Sequence, residues 1–515
     1  MKKFIGLLLC IITSLLMNAN NVVISNISLV GNAGNYRIQF DLSWDNNWRT
    51  STGQANYDGV WVFFKYRTPG GSWQHLMMNG SSNSVPANYT AYQNTGVTKT
   101  GAIIHRTTNG FSSASLTDIE LGVVDVQFGI DIRGYAIEMV FIPSCSNCII
   151  GDGNGTAEAS FALHVADNTS GAFGSTFSVD AGVDDATLVG GIAINAAGIA
   201  GNADYATGQA FWSMKYELSQ AGYRDFLNSL NLTQQTTRTA NAPTSATGTG
   251  ALVATGTFRN FIEIATPSAG GAPAVYGLDA SGNNVFDETG DGEWIACNYL
   301  SWMDIAAYLD WAGLAPMTEI LYERICRGAS TAGPNASVLG EYAWGTTAIF
   351  GTPYTITGAN LASEVASNAS TTLGNANYNS THPATNGPLR NGIFATASSD
   401  RITSGASFYG VMEMSGNLLE PCVAIGNVAG RGFTSVNGDG VLSNNGNANA
   451  ANWPCGASPT SLPVCSEVTS NQGTKLRGGF FNHTNIGIQV SQRNSNPVDI
   501  SRPNDQGGRG GLYVN

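Results

Sequence analysis

Tyr36, Ile38, Phe40, Leu42 and Trp44 are separated by single polar residues. A period of two sends alternate side chains to opposite faces of a pleated strand, so this run predicts a strand with one apolar face. Val60-Trp-Val-Phe-Phe-Lys-Tyr66 predicts a second strand, more continuously apolar. Pro69-Gly-Gly71 turns the chain before Trp73, and Val123-Val-Asp-Val-Gln-Phe128 predicts a late strand. Short strands joined by Gly-, Asn- and Ser-rich turns predict an all-β sandwich over residues 21–134.

Beyond Tyr135 the period lengthens. Tyr223, Phe226, Leu227 and Leu230 fall on one helical face, with Ser219 placed to cap it. Ser301 is placed to cap a helix running to Trp311, with Ile305, Tyr308 and Leu309 inward. Thr318 starts a third helix, whose first-turn Glu319 suits the helix dipole. These apolar faces read as core. Residues 153–206, 329–408 and 427–475 are rich in small and polar residues and read as loops, and loops on a rigid frame are where binding surfaces are built.

Composition narrows the function. Charged residues make up 11% of the 515, against 63 glycines and 10% aromatics, which fits a loop-rich chain that can still fill a core. A net charge of −13 without a basic patch excludes nucleic acid and an anionic membrane surface as partners. Lys2 and Lys3 precede the apolar run Phe4–Leu16, so residues 1–20 read as a secretory signal peptide, with cleavage near Ala19. That run is short for a membrane span and no later segment could cross, so the expected protein is secreted or on the cell surface, without membrane insertion.

Of the eight cysteines, Cys10 lies in the leader. Most of the remaining seven should pair in an oxidising compartment, and the odd count leaves a thiol free or bonded between chains. Cys455 and Cys465 flank a Pro-rich loop and are the preferred pair. Cys145-Ser-Asn-Cys148 reads as a local structural bridge or free thiols, since no helix starts at its first cysteine. His75 and His105 stand alone and read as surface or strand residues.

Tyr409-Gly-Val-Met-Glu-Met-Ser-Gly-Asn-Leu-Leu-Glu420 reads as a tight turn. Asn417 and Glu420 offer two oxygen-bearing side chains, and the backbone carbonyls between them, including that of Leu418, are free to turn inward. Oxygen-only ligands from a Gly-containing turn suit Ca²⁺. The alternative is a turn in which Asn417 bonds its own backbone. Asp279–Glu293 is a second carboxylate-rich stretch, read as a solvated turn or a second Ca²⁺ site.

Other segments stand in a fixed order around that turn: Lys215-Tyr-Glu-Leu218, Leu300-Ser-Trp-Met-Asp304 with Tyr308 and Trp311, Pro316-Met-Thr-Glu319 running to Arg327-Gly328, Tyr342-Ala-Trp-Gly345, Leu476-Arg-Gly-Gly-Phe480 and a closing Gly508-Arg-Gly510. The ordered set, from about Ala136 to the end, resembles the formylglycine-generating enzyme (sulfatase-modifying factor) family. The resemblance implies an irregular C-type-lectin-like domain over 135–515. With the sandwich before it, the expected fold class is α+β. It also implies a structural Ca²⁺ at Asn417, Leu418 and Glu420. Leu419 and Pro421 depart from the family, where tryptophans stand.

That family binds Cu(I) on two cysteines near the end of the chain, as soft thiolates favour. No cysteine follows Cys465, so no copper is expected, and no histidine pattern suggests iron. The resemblance extends to lectin-fold variable proteins diversified by retroelements, whose ligand surface is this C-terminal segment. Phe480, Phe481, His483, Arg493 and Asp499 are the expected ligand-binding residues, because aromatic and Arg side chains dominate contact energies. The leading expectation is a non-catalytic secreted binding protein, with a retroelement-diversified receptor as its special form, for an extracellular protein or glycan. Two alternatives stay open: a metal-dependent oxidase acting on protein or thiol substrates, and a structural surface or matrix protein.

Overall fold

The period-two run near the start of the chain is a strand with one buried face. Tyr36, Ile38, Phe40, Leu42 and Trp44 are all buried, and the residues between them are partly exposed. The computed structural model describes residues 21–514, apart from 33, 94–98, 125, 127–128, 145–175, 178–191, 196–197, 200–207, 329–337, 352, 380–385, 426–427, 456–464, 494–497 and 499. The leader expected at 1–20 and the Cys145/Cys148 pair lie outside the described residues.

In chain order the first strands are β1 (Val23–Asn32), β2 (Asn35–Arg49), β3 (Asp58–Arg67), β4 (Gln74–His75), β5 (Tyr89–Tyr92), β6 (Ala102–Arg106), β7 (Gly110–Gly122) and β8 (Asp131–Ile142). Then come the small strands β9 (Thr176–Phe177), β10 (Ile192–Asn195) and β11 (Gly198–Ile199), followed by β12 (Phe211–Met214), β13 (Ile262–Thr266), β14 (Val275–Leu278) and β15 (Ala315–Pro316). The last are β16 (Ile356–Thr357), β17 (Val365–Ala366), β18 (Glu420–Val423), β19 (Thr474–Arg477) and β20 (Gly510–Tyr513). The helices are α1 (Gln220–Leu227), α2 (Leu232–Arg238), α3 (Trp302–Trp311), α4 (Glu319–Arg327) and α5 (Val428–Arg431).

β1, β2 and β7 form one antiparallel sheet. Its inner face packs on Val60, Val62, Phe64, Ala102 and Ile104. The opposite face of β3, with Trp61 and Phe63, joins the main core among the helices. β3 is therefore covered on both sides, which is why its run of apolar residues is unbroken. Phe63 meets the Trp311 ring edge-on at 5.0 Å, and Trp61 Nε1 donates to the Ala312 carbonyl at 2.8 Å.

The sheet containing β3 runs in the order β15-β20-β12-β8-β3-β6-β5, with β4 paired on β3. The boundary expected between residues 134 and 135 falls inside β8, which pairs with β3 on one side and β12 on the other. Both regions thus share one sheet. The expected α+β class is corrected: strands take 30% of the residues and helices 11%, in five helices among those described, so the fold is β-rich. The physical reason is that the helices are at most 10 residues long, while the C-terminal strand β20 pairs with β12 in the sheet that contains β3. At Val123 there is an isolated bridge to Met78 rather than the start of a strand.

The three helix starts form as expected. Ser219 accepts from the Gly222 N–H, Ser301 from Asp304 and Thr318 from Leu321. Each satisfies one of the N–H groups that a helix start leaves without a partner.

Candidate functional site

The turn before β18 is built on two residues in the left-handed region, Gly416 (φ 89°) and Asn417 (φ 69°). A Cβ on Gly416 would stand 2.4 Å from the Asn377 carbonyl oxygen, so glycine is required there. Asparagine tolerates the conformation better than most residues. The Asn417 side chain is spent inside the protein. Its Oδ1 accepts from Asn377 Nδ2 at 2.9 Å and from the Leu389 N–H at 2.8 Å, and its Nδ2 donates to Glu217 Oε2. Glu217 Oε1 also accepts from the Leu418 N–H at 3.0 Å. Burial holds the Glu217 carboxyl well above its usual range, and the nearby Glu420 pushes it further.

This turn supports the C-terminal loop. The Gly416 N–H donates to the Gly478 carbonyl at 2.8 Å, and the Phe481 N–H donates to the Asn417 carbonyl at 2.9 Å. Phe481 is fully buried against Leu418 and Ala296. Phe480, partly buried, meets the Phe481 ring edge-on at 5.3 Å, and the His483 ring lies 4.2 Å from Phe480. The His483 N–H closes a tight turn on the Phe480 carbonyl at 2.9 Å, and the His483 carbonyl accepts from Asn379 at 2.7 Å. Asn482, Thr484, Asn485 and Ile486 around it are exposed. Burial lowers the His483 imidazole pKa, against a smaller raising contribution from the Gly487 backbone.

Two separately predicted groups are therefore neighbours: Asn417 and Leu418 hold up Phe480, Phe481 and His483. Two other residues stand apart. Arg493 is buried and forks onto Glu319, with Nε 2.8 Å from Oε1 and Nη2 3.0 Å from Oε2. It is placed as a structural cation rather than on a surface. Asp499 lies outside the described residues.

Glu420 and Asn417 do not fit a Ca²⁺ shell as placed. Both Glu420 oxygens accept from Arg509, and the single Asn417 side-chain oxygen already takes two N–H donors. Arg509 supplies the positive charge that the carboxylate needs. Among the described residues no group of three or more His, Cys, Asp or Glu side chains is arranged to hold a metal ion. Asp279 likewise spends its carboxylate on the backbone N–H groups of Gly282, Asn283 and Asn284, as a turn residue does.

Sequence reasoning missed Glu217 and Arg509 as the partners of this turn. Both stood in motifs already noted, Lys215-Tyr-Glu-Leu218 and Gly508-Arg-Gly510, and a lone buried-type carboxylate at Glu420 called for a cation. The Cys455–Cys465 disulfide forms as expected. Cys297, Cys326 and Cys422 are free and buried. No helix among the described residues is long and apolar enough to cross a membrane.

No family model and no curated protein matches the chain. Among solved structures it is similar to PvdO from Pseudomonas aeruginosa, at 13% identity over 60% of this chain and 82% of that one, with a TM-score of 0.25.

Proposed function

We propose that the chain is a secreted or cell-surface binding protein, a non-catalytic relative of the formylglycine-generating enzymes, that recognises an extracellular protein or glycan through the loop Phe480–His483. The observation that carries this reading is the aromatic pair of Phe480 and His483, partly exposed and standing on the buried Phe481. A ring held from below by a packed anchor loses little freedom on contact, which favours binding. The exposed Asn482, Thr484 and Asn485 would supply the polar rim. The ordered motifs support the kinship, and the lack of any cysteine after Cys465 supports a role other than copper oxidation.

The test is a glycan array and an extracellular-protein display screen, run with the wild-type chain and with a Phe480→Ala, His483→Ala double variant. Binding to at least one probe that is lost in the double variant is the expected result. Undiminished binding by the double variant would overturn the placement.

A further inference from the structure

A cavity of about 250 Å³ lies between β8 and α1, lined in part by Glu138, Asn391, Tyr216, Trp294 and Tyr308. Two of its wall residues are almost wholly buried, Glu138 at 4% and Asn391 at 1% exposure. Each carries an oxygen that no donor reaches among the described residues, Glu138 Oε1 and Asn391 Oδ1. Glu138 is held by its other oxygen, which accepts from Lys215 Nζ at 2.9 Å. Asn391 is held by its amide nitrogen, which donates to the Glu217 carbonyl at 2.8 Å. That bond fixes which end of the amide is the oxygen, since a flipped amide would set two acceptors together.

Buried acceptors left without donors are costly and call for something that supplies N–H or O–H groups. One of the two orphaned oxygens belongs to a carboxylate, whose hydrogen bonds to a charged donor are the strong kind. The remaining wall is mostly apolar, with Ile137, Met214 and Leu218 beside the rings of Tyr216, Trp294 and Tyr308, and it carries two further carboxylate residues, Asp225 and Glu217. Ring faces attract organic cations and offer nothing to the water shell of a metal ion.

We propose that this cavity binds a small organic ammonium ion, a primary amine whose N–H groups reach Glu138 Oε1 and Asn391 Oδ1 while its hydrocarbon part lies among Tyr216, Trp294 and Tyr308. The site shares no ligand-contacting residue with the Phe480–His483 loop. It backs onto the turn beneath that loop through Glu217, whose carbonyl takes Asn391 and whose carboxyl takes Leu418 and Asn417.

The experiment is calorimetric titration of the full chain with benzylammonium, with benzyl alcohol as its neutral counterpart and benzoate as an anion of similar size. Benzylammonium should bind, benzyl alcohol should bind at least about tenfold more weakly, as loss of a charge-assisted hydrogen bond implies, and benzoate should not bind. Glu138→Gln should weaken the ammonium by a similar factor. Because Glu138 also holds Lys215, a second variant is needed. Ala221→Phe fills the cavity from the half-buried first turn of α1 and should abolish binding with the thermal melt unchanged. Equal binding of the alcohol and the ammonium would reduce the cavity to an apolar hole. No binding by any probe would leave it to ordered water. Binding that survives Ala221→Phe would put the amine elsewhere. Each of these three results overturns the proposal.

Discussion

Glu420 and Arg509 meet as a two-pronged ion pair, Nε to Oε2 and Nη2 to Oε1, both at 2.7 Å and both side chains fully buried. Removing one partner strands the other charge in the interior. Arg509→Met is therefore expected to cost about 3–5 kcal/mol, read from urea denaturation. The double variant Glu420→Gln, Arg509→Met should recover much of that loss, because no charge is stranded. The same pairing predicts overlapping thermal melts in calcium and in chelator. A chelator-sensitive melt that disappears in Glu420→Gln would show a cation competing with Arg509.

Glu319 predicts acid sensitivity. Burial alone would raise its pKa, but Arg493 and Arg477 outweigh burial and hold it at about 2, below its ordinary 4.5. A depressed carboxylate binds fewer protons folded than unfolded. Its contribution is present in full above 4.5 and is lost as pH falls towards 2. Glu319→Gln should lower stability at pH 7 and flatten the fall in unfolding free energy between pH 4.5 and 2. An unchanged slope would remove Glu319 from the account. Arg493→Ala should act through stability in the same way.

Lys65 ties β3 to the other half of the molecule. Its three protons are taken by His75 Nδ1 at 2.8 Å, the Trp311 carbonyl at 2.7 Å and the Gly440 carbonyl at 2.8 Å. Burial pushes the Lys65 pKa down, yet three acceptors favour the charged form, and Asp310 and Asp439 pull the same way. His75 must then stay neutral, with Nε2 donating to the Thr100 carbonyl at 2.6 Å, and burial followed by Lys65 lowers its pKa well below 6.5. Burial also lowers His105, to about 4. Both histidines stabilise the fold above 6.5, and that contribution falls as pH drops below 6.5, for His105 towards about 4. In NMR titration neither ring should protonate between pH 8 and 5. A His75 midpoint near 6.5 would contradict the buried Lys65 arrangement.

The parts legible in the sequence are those whose cause lies within a few residues. The Ser219, Ser301 and Thr318 caps each receive an N–H three residues on, and the Tyr36–Trp44 alternation needs no partner to be read. The turn at Asn417 was legible as a turn for the same reason. The charge pairs were not. Arg509 lies 89 residues from Glu420, and Arg493 lies 174 from Glu319. Arg493 therefore looked like a surface contact residue, although its side chain closes the core. The fold class went astray because the capped helices are conspicuous locally, whereas the pairing of β8 with both β3 and β12 is a long-range fact.

Cysteine chemistry divides cleanly. The Cys455–Cys465 bridge closes a short loop, and its loss should cost about 2–3 kcal/mol by chain entropy. Burial pushes the Cys326 thiol up to about 12 and raises Cys297 and Cys422 as well. Iodoacetamide applied to the native protein should leave all three unmodified, as read by peptide mapping, and mild reduction should expose Cys455 and Cys465 alone among these five. Native labelling of Cys326 would show that its helix opens.

Phe480 and Phe481 are adjacent in sequence and opposite in role, so they separate binding from folding. Phe481 has no exposed surface and packs on Leu418 and Ala296, and its ring lies 5.7 Å from Phe258. Phe481→Ala should cost about 3–5 kcal/mol, the range for emptying a buried aromatic site. Because its N–H reaches the Asn417 carbonyl, the loss should also loosen the turn beneath the loop. Phe480 is partly exposed and makes its ring contacts with Phe481 and His483. Phe480→Ala should cost less than Phe481→Ala, because Phe480 borders the main core but keeps part of its side chain exposed, while any ligand taken by the loop is lost. Urea midpoints and ligand titrations on the two variants give the comparison. If Phe480→Ala unfolds as readily as Phe481→Ala, both rings are core and the recognition surface must lie elsewhere. If neither variant moves the urea midpoint, the packing of Phe481 on Leu418 is not what holds the loop.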